Sequence, residues 1–544
     1  MLKKRIRRVG GNRKVILGLL LGLAGFCLPL LMHFEGLSMA GHFAMGIFLM
    51  AAVFWMLEPI PIYSTSMLVI FLQVIFLSSQ GPFYSSAELP EVSPEAVEEH
   101  VWALPHSAIE NDTLYLKTGE KSYESLKVEV LERNEKTLIR SEVLREGHVV
   151  VKEARHRLIG YSPVSYTEFF GTLASPIIIL FLGGFMLAAA AVKYNLDKNL
   201  TNVLLKPFGR KPIFIVLGLM MVTAVLSAFM SNTATTAMMM TVAIPITMQV
   251  SQEDKFRIML ALAIPISANI GGMATPIGTP PNAIVIAALN QQGMPIEFGT
   301  WMLIMLPAVL FLLLVAWGTM RLLYPPSLKS FTLDLEASFN KNTKAIMLYV
   351  IFGFTVLLWI TEASHGIPSG MVAFLPIAGL TVTSVLKKED IRALPWEVLW
   401  LVAGGIALGI SMEKTGLAVY MVSSIGWDMF PQILLLLVFG LVAWMLSNFL
   451  SNTVTATLLI PLAVSMATSG IAGEGFSLII TALVIGSACN IAMLLPISTP
   501  PNAIAMSTGF IRTADMLKVG LVVGLLGLLL ALFFSTVYWP LIVS

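Results

Sequence analysis

Charge is what this 544-residue chain has least of: only 12% of its residues are Asp, Glu, Lys or Arg, against about 25% in soluble domains. A soluble core of this size needs a charged surface, and outside residues 80–165 the chain cannot supply one. Cysteine is nearly absent. Cys27 and Cys489 both lie in apolar segments, which excludes a disulfide framework and a cysteine-built metal site. Seven histidines are scattered without metal-ligand spacing. The basic residues sit at the ends of apolar stretches, with no aromatic-interleaved patch, which excludes nucleic acid as a partner. What is present is 56% hydrophobic, with a mean hydropathy of +0.83. The expectation is an all-α polytopic membrane protein with the lipid bilayer as its solvent.

Apolar stretches long enough to span lie near 15–32, 40–57, 62–79, 172–192, 258–289, 301–323, 345–361, 370–386, 396–412, 476–508 and 516–540. The first follows a basic N-terminus and lacks a small-residue cleavage site, so it reads as a membrane helix and not a removed signal peptide. Two further stretches, 213–250 and 431–468, are interrupted midway by a polar cluster. They read as re-entrant hairpins. About eleven transmembrane helices plus two hairpins make the two halves inverted repeats. Lys and Arg test the orientation. A cytoplasmic N-terminus puts Lys3, Lys4, Arg5, Arg7, Arg8, Arg13 and Lys14 inside. It also puts Lys193, Lys198, Lys206, Arg210, Lys211, Lys255, Arg257, Arg321, Lys329, Lys341, Lys344, Lys387, Lys388 and Arg392 inside. The short loops 290–300, 361–370, 424–431 and 469–475 hold no Lys or Arg and fall outside, as does the C-terminus.

These signals divide the chain into five parts. Residues 1–79 hold the first helices of repeat 1, and 166–323 hold the rest of it. Residues 324–344 form a polar cytoplasmic linker, and 345–544 form repeat 2. Residues 80–165 carry fifteen of the 32 acidic and ten of the 34 basic residues. There Thr113–Leu116, Lys127–Leu131, Thr137–Ile139 and His148–Val151 group β-formers between charged turns, which points to a small β-rich extracytoplasmic insertion. A solvated insertion without a ligand is its default reading. Its Asn111-Asp112-Thr113 has the pattern of a glycosylation acceptor.

What the chain has twice is more informative. Ser231-Asn232-Thr233 recurs 220 residues later as Ser451-Asn452-Thr453. Thr279-Pro280-Pro281-Asn282-Ala283-Ile284 recurs letter for letter at the same offset as Thr499-Pro500-Pro501-Asn502-Ala503-Ile504. Small polar residues also mediate helix packing in membranes. That explains one S-N-T, but not two pairs of motifs at one offset. Polar breaks at membrane depth are costly unless they line a cavity or a site. Two in each repeat is the pattern of a secondary transporter with its site at the repeat interface. Pro divides the helices at 258–289 and 476–508. Half-helix N-termini offer N–H groups suited to carboxylate, sulfate or phosphate; carbonyls with Ser and Asn oxygens suit Na⁺. Neither motif region holds an intramembrane Arg or Lys, so a co-bound cation must help neutralise the anion. Neither holds a His or carboxylate to serve as a base, which argues against an enzyme. A receptor sensing through residues 80–165 would have no need of two cation sites.

The paired motifs, with Leu182-Gly183-Gly184-Phe185 and Ala403-Gly404-Gly405-Ile406, resemble the divalent-anion:sodium symporter family of di- and tricarboxylate and sulfate carriers. The resemblance covers residues 15 to 540 apart from 80–165. It implies a homodimer in the plasma (bacterial inner) membrane, working by an elevator motion. It also implies two or more co-transported Na⁺ and no organic cofactor. By this resemblance the first Na⁺ site uses Ser227, Ser231, Asn232 and the backbone of Gly278. The second uses Ser447, Asn452 and the backbone of Ser498, with Ser451 nearby. Substrate carboxylates meet Asn232, Thr233, Asn452 and Thr453, and Thr279-Pro280 and Thr499-Pro500 close the site. Ser227 and Ser447 lie one helical turn before their motifs and can face the same ion. The substrates implied are small divalent anions, first among them C4 dicarboxylates such as succinate, malate and fumarate. The alternatives are Na⁺-independent dicarboxylate exchange and carriage of sulfate or tricarboxylate. Ser498, preceded by Ile497, departs from the smaller residue common in the family, and the insertion at 80–165 is not typical of it. Glu413-Lys414 reads as an interfacial pair and Glu58, before Pro59, as structural.

Overall fold

The computed structural model describes residues 2–34, 37–82, 91–98, 100–105, 113–119, 122–133, 136–151, 164–328, 330, 341–423, 430–470 and 476–543. Asn111 and Asp112, most of the linker 324–344 and most of the loops 424–431 and 469–475 lie outside the described residues. So do the side chains of residues 2–13 and of Lys198. Among the described residues eleven helices are long and apolar enough to cross a membrane. The sequence also suggested eleven, but the membership differs. Pro212–Phe229, Gln432–Phe449 and Asn452–Ser469, arms of the duplicated hairpins, are long and apolar enough to span, while the fourth arm, Asn232–Gln249, is as long but less apolar. The stretches 62–79, 370–386 and 476–508 yield shorter helices instead.

The chain divides into two units, residues 1–171 with 407–424, and residues 172–406 with 425–544. The first opens with α1 (Leu2–Leu31), α2 (Met39–Leu57) and α3 (Ile62–Leu77). α1 and α2 pack at backbone distance: a Cβ on Gly46 would lie 2.5 Å from the Phe26 carbonyl oxygen. α2 stops at Glu58, which is left-handed at φ 48°, before Pro59. On α3 the buried Gln73 donates to Ser411 Oγ at 2.9 Å.

Among the described residues eight strands follow: β1 (Glu91–Val92), β2 (Glu95–Glu98), β3 (Val101–Pro105), β4 (Thr113–Gly119), β5 (Ser122–Lys127), β6 (Glu129–Arg133), β7 (Lys136–Arg140) and β8 (Val150–Val151). They form two antiparallel four-stranded sheets, ordered β1-β8-β4-β5 and β2-β3-β7-β6. β7 shows why: Thr137 is buried, Ile139 is buried, and Lys136, Leu138 and Arg140 face outward or partly so, the period-two pattern of a half-buried strand. Trp102, Leu104, Leu114, Leu116, Ile139 and Val150 build a separate core for the insertion. α4 (Tyr166–Gly171) closes this stretch.

The second unit runs through α5 (Pro176–Lys193), α6 (Leu196–Leu205), α7 (Pro212–Phe229), α8 (Asn232–Gln249), α9 (Phe256–Gly271), α10 (Pro280–Gln291), α11 (Phe298–Leu323) and α12 (Thr343–Ile360). Then come α13 (Glu362–His365), α14 (Ser369–Val372), α15 (Phe374–Val382), α16 (Lys388–Arg392) and α17 (Trp396–Lys414), whose last turns belong with the first unit, as does α18 (Leu417–Ser423). α19 (Gln432–Phe449), α20 (Asn452–Ser469), α21 (Leu478–Asn490), α22 (Pro500–Ser507), α23 (Thr513–Val537) and α24 (Pro540–Val543) complete it. Shifted by 220 residues, α7 coincides with α19 and α8 with α20, end to end. Each arm has 18 residues, about 27 Å at 1.5 Å per residue, close to the ~30 Å hydrocarbon thickness.

Two polar contacts fix the frame around these repeats. Buried Glu362 accepts from Phe298 N (2.9 Å) and Ser369 N (2.9 Å), the first residues of α11 and α14, so one carboxylate caps two helix starts. Lys193 Nζ, at the end of α5, donates to Asp390 Oδ2 (2.5 Å) on α16 and to the Val385 carbonyl (2.9 Å). Burial opposes ionisation of Asp390. The bond from Lys193, the Lys387 N–H and the two lysine charges outweigh it and hold its carboxyl below the ordinary range.

Candidate functional site

The duplicated motifs are helix starts. Ser231, Thr279, Ser451 and Thr499 are the N-caps of α8, α10, α20 and α22, all with extended backbone. Ser and Thr favour this position because their oxygen accepts from a free N–H of the first turn. Ser231 Oγ accepts from Ala234 N and Ser451 Oγ from Val454 N, both at 3.2 Å. Pro at the first helical positions of α10 and α22 has no N–H to leave unpaired. Each repeat thus presents two helix N-termini, the form of site that favours an anion.

The packing of these starts is crossed. Within a repeat, α7 and α8 pack on α9, and α19 and α20 pack on α21. Between repeats, α8 and α9 pack on α22, and α20 and α21 on α10. The hairpin of each half therefore lies against the broken helix of the other.

Next to each hairpin tip is a pocket of oxygens. Ser227 Oγ lies 2.7 Å from Asn232 Oδ1 and 2.8 Å from the Ala268 carbonyl oxygen. Turned over, the Asn232 amide donates from Nδ2 to Ser227 Oγ (2.7 Å), Ala268 O (3.2 Å) and Gly278 O (3.2 Å). With its oxygen inward, Asn232 joins three other oxygens that share the single proton of Ser227. Such a cluster suits a hard cation; with nitrogen inward, the amide supplies the missing donors itself. Close backbone approach builds the pocket: a Cβ on Gly278 would lie 2.3 Å from Gly272 O, and one on Gly272 would lie 2.4 Å from Asn232 Oδ1.

The second pocket has the same kernel. Ser447 Oγ donates to Asn452 Oδ1 at 2.8 Å and reaches the Cys489 carbonyl at 3.3 Å. It differs at the position matching Gly278. Ser498 is buried and its hydroxyl turns to the Asn448 carbonyl (2.9 Å), while Asn448 Oδ1 accepts from Leu494 N (2.8 Å). In the first repeat Ala228 and Gly278 stand there, and the Thr275 hydroxyl donates to the Ala228 carbonyl instead. The preceding Ile497 is 73% exposed, which is how a bulky residue is accommodated beside the site.

The expected residues are therefore placed as follows. Ser227, Asn232 and Gly278 come together, as do Ser447 and Asn452. Ser231 and Ser451 are engaged as caps, and Ser498 is tied to Asn448. Thr453, Thr279 and Thr499 are buried, Pro280 is half-buried, and Thr233 and Pro500 are exposed. Sequence reasoning missed the asparagine network behind them. Asn490 Nδ2 donates to Asn282 Oδ1 (2.8 Å), and Asn269 Nδ2 donates to Asn502 Oδ1 (3.2 Å) and Thr499 Oγ1 (3.1 Å). The one signal available was a lone Asn in each of two apolar helices.

The citrate transporter family profile matches residues 157–486. An uncharacterized transporter of Haemophilus influenzae is 32% identical over 389 residues, spanning 67% of this chain and 82% of the relative. Sodium-dependent high-affinity dicarboxylate transporter 3 of Caenorhabditis elegans is 28% identical over 407 residues, spanning 64% and 71%. The sodium-dependent dicarboxylate transporter SdcS of Staphylococcus aureus is 30% identical over 407 residues, spanning 68% and 77%.

Proposed function

Since the chain belongs to the citrate transporter family, a group of multi-pass membrane transporters and not enzymes, we propose that it is a sodium-coupled symporter for C4 dicarboxylates. The anion lies between the starts of α8, α10, α20 and α22. One Na⁺ sits at the Ser227–Asn232 pocket and another at the Ser447–Asn452 pocket. Thr233, Thr279, Thr453 and Thr499 line the substrate. The observation that carries this reading is the pairing, in each repeat, of a Ser–Asn oxygen pocket with two helix N-termini. Two relatives named as sodium-dependent dicarboxylate transporters support the choice of ion and substrate.

Magnitudes favour coupling over an anion bound alone. A helix start contributes at most about 2 kcal/mol to a partly buried anion, while desolvating each charge costs several kcal/mol. Without a basic side chain, the cations must supply the remainder. Substrate and Na⁺ then bind together, and neither crosses efficiently alone. The hairpins are re-entrant and the repeats inverted in the plasma membrane, with a cytoplasmic N-terminus. The protein works as a homodimer by an elevator movement.

The test is uptake of radiolabelled succinate into proteoliposomes under an inward Na⁺ or an inward K⁺ gradient. Uptake with Na⁺ alone supports the symporter. Uptake that needs internal dicarboxylate but no Na⁺ replaces it with an exchanger. The citrate named in the family description favours one second reading, a tricarboxylate substrate; citrate transport without succinate transport or competition would select it.

A further inference from the structure

We propose that Asn269 and Asn490 are positioning residues, each fixing across the repeat boundary the broken helix on which the other repeat's cation pocket is built. The inference rests on the transport reading above and adds to it a mechanical link between the two pockets.

Each T-P-P-N asparagine faces two ways. Asn282 Nδ2 donates to the carbonyls of Gly272 (3.0 Å) and Thr275 (2.8 Å), the turn that interrupts its own helix. Its Oδ1 accepts from Asn490 of the other repeat. Asn502 does the same: Nδ2 donates to Met493 O (3.1 Å) and Leu495 O (3.0 Å), and Oδ1 accepts from Asn269. All four asparagines are at most 3% exposed. A carboxamide has one donor end and one acceptor end. With the nitrogen bound inward to the break, only a donor from outside can hold the oxygen, and in both halves that donor comes from the opposite repeat.

The chain of contacts then reaches the pockets. Asn490 holds Asn282, Asn282 holds the 272–275 turn, and that turn ends at Gly278, whose carbonyl faces Asn232. Asn269 holds Asn502 and Thr499 directly, Asn502 holds the 493–495 turn before Ser498, and the Ser498 hydroxyl donates to the carbonyl of Asn448, the residue that follows Ser447. The residue before each brace contributes its carbonyl to the pocket of its own repeat, Ala268 beside Ser227 and Cys489 beside Ser447. Two consecutive residues thus join one pocket, through backbone, to the other pocket, through a side chain. Buried bonds of this kind have no water to compete with them, and networks of them act as units.

A plain packing role for these asparagines makes a different forecast. Interhelical amide bonds also glue membrane helices together, and their loss would loosen only the surroundings of the substituted residue. The brace forecasts a crossed effect. In the full chain in nanodiscs, without substrate, amide hydrogen exchange is measured for segments 272–279 and 492–499. Asn490→Ala should speed exchange in 272–279 roughly tenfold for its one lost bond, and Asn269→Ala should speed it in 492–499 by at least as much, since it loses the bonds to both Asn502 and Thr499. A rise confined to the repeat that carries the substitution overturns the proposal. If an alanine variant does not fold, Asn490→Ser and Asn269→Ser make the same comparison. In proteoliposomes, Asn490→Ala should raise the half-saturating Na⁺ concentration roughly five- to tenfold, more than it lowers the maximal rate. The double variant Asn490→Ala/Asn282→Ala should be no worse than the poorer single one, because both remove the same bond. Shifts that multiply would overturn the brace. A wild-type protein without Na⁺-driven uptake would defeat the transport reading, and the exchange measurement would still decide the brace.

Discussion

Asn232 and Asn452 each do work that no neighbouring side chain repeats. In the proposed site their oxygens serve the cation while their N–H groups begin the helix facing the anion. Asn232→Ala and Asn452→Ala should each lower succinate uptake by about a hundredfold or more, with unchanged yield and gel-filtration profile. Normal uptake by both would remove these residues from the site. Gly278 makes a sharper steric case. A Cβ there would press on the Gly272 carbonyl, backbone against backbone. Gly278→Ala should therefore reduce folded yield or thermal stability. Ser498→Ala at the matching position removes no backbone space and should lose only the hydroxyl's bonds, to Asn448 and from Leu495 N, about 1–2 kcal/mol together. Equal stability losses in the two variants would contradict this asymmetry. At this scale the sequence was partly legible. Ser, Asn, Thr and Pro announce helix starts by their own chemistry, and the duplication removed chance. The carbonyls of Ala268 and Cys489 were not legible, because a backbone oxygen carries no residue identity. Asn269 and Asn490 escaped because they are not a matched pair at the repeat offset: 220 residues from Asn269 stands Cys489.

Among elements, the end of α5 is tied to α16 by Lys193 and Asp390. The Asp390 carboxyl is held below its ordinary range, so the native state favours the ionised form more than the unfolded chain does. The stabilisation is then present above the unfolded pKa, near 3.9, and is lost as pH falls through the lower folded value. Asp390→Asn should melt at a lower temperature than wild type at neutral pH, and the two curves should converge in strong acid. A difference that grows on acidification would reverse the sign. Element existence was easier to read than element extent. The stretch 370–386 looked like one span, yet Pro376 supplies no N–H for Val372 and the chain forms α14 and then α15. In the insertion, the β-formers of β4, β6, β7 and β8 were visible in outline. β2, Glu-Ala-Val-Glu, was not, because it is short and wholly exposed and lacks the alternation that marks a half-buried strand.

For the molecule as a whole, the membrane class followed directly from missing charge. The composition break at 80–165 likewise marked where strands would replace helices. What composition could not convey is that the insertion has a core of its own, built around Trp102 and Leu104. A segment with its own core should be separable. Replacing residues 84–163 by a short Gly/Ser linker should leave Na⁺-driven uptake measurable, within about tenfold of wild type if the insertion is an accessory. A folded but inactive deletion would make it part of the transport cycle.

The reciprocal asparagine bonds also bear on how such a chain can be inherited. Asn269 needs Asn502, and Asn490 needs Asn282, so each half carries the lock for the other's key. Recombination that exchanged one half with a divergent relative would separate both pairs at once, however well each half suited its own ancestor. If the brace holds, drift at any one of the four positions would be constrained by a residue more than 200 positions away. Under the proposed brace the two halves would be hereditary dependants, each able to change at these positions only in step with the other.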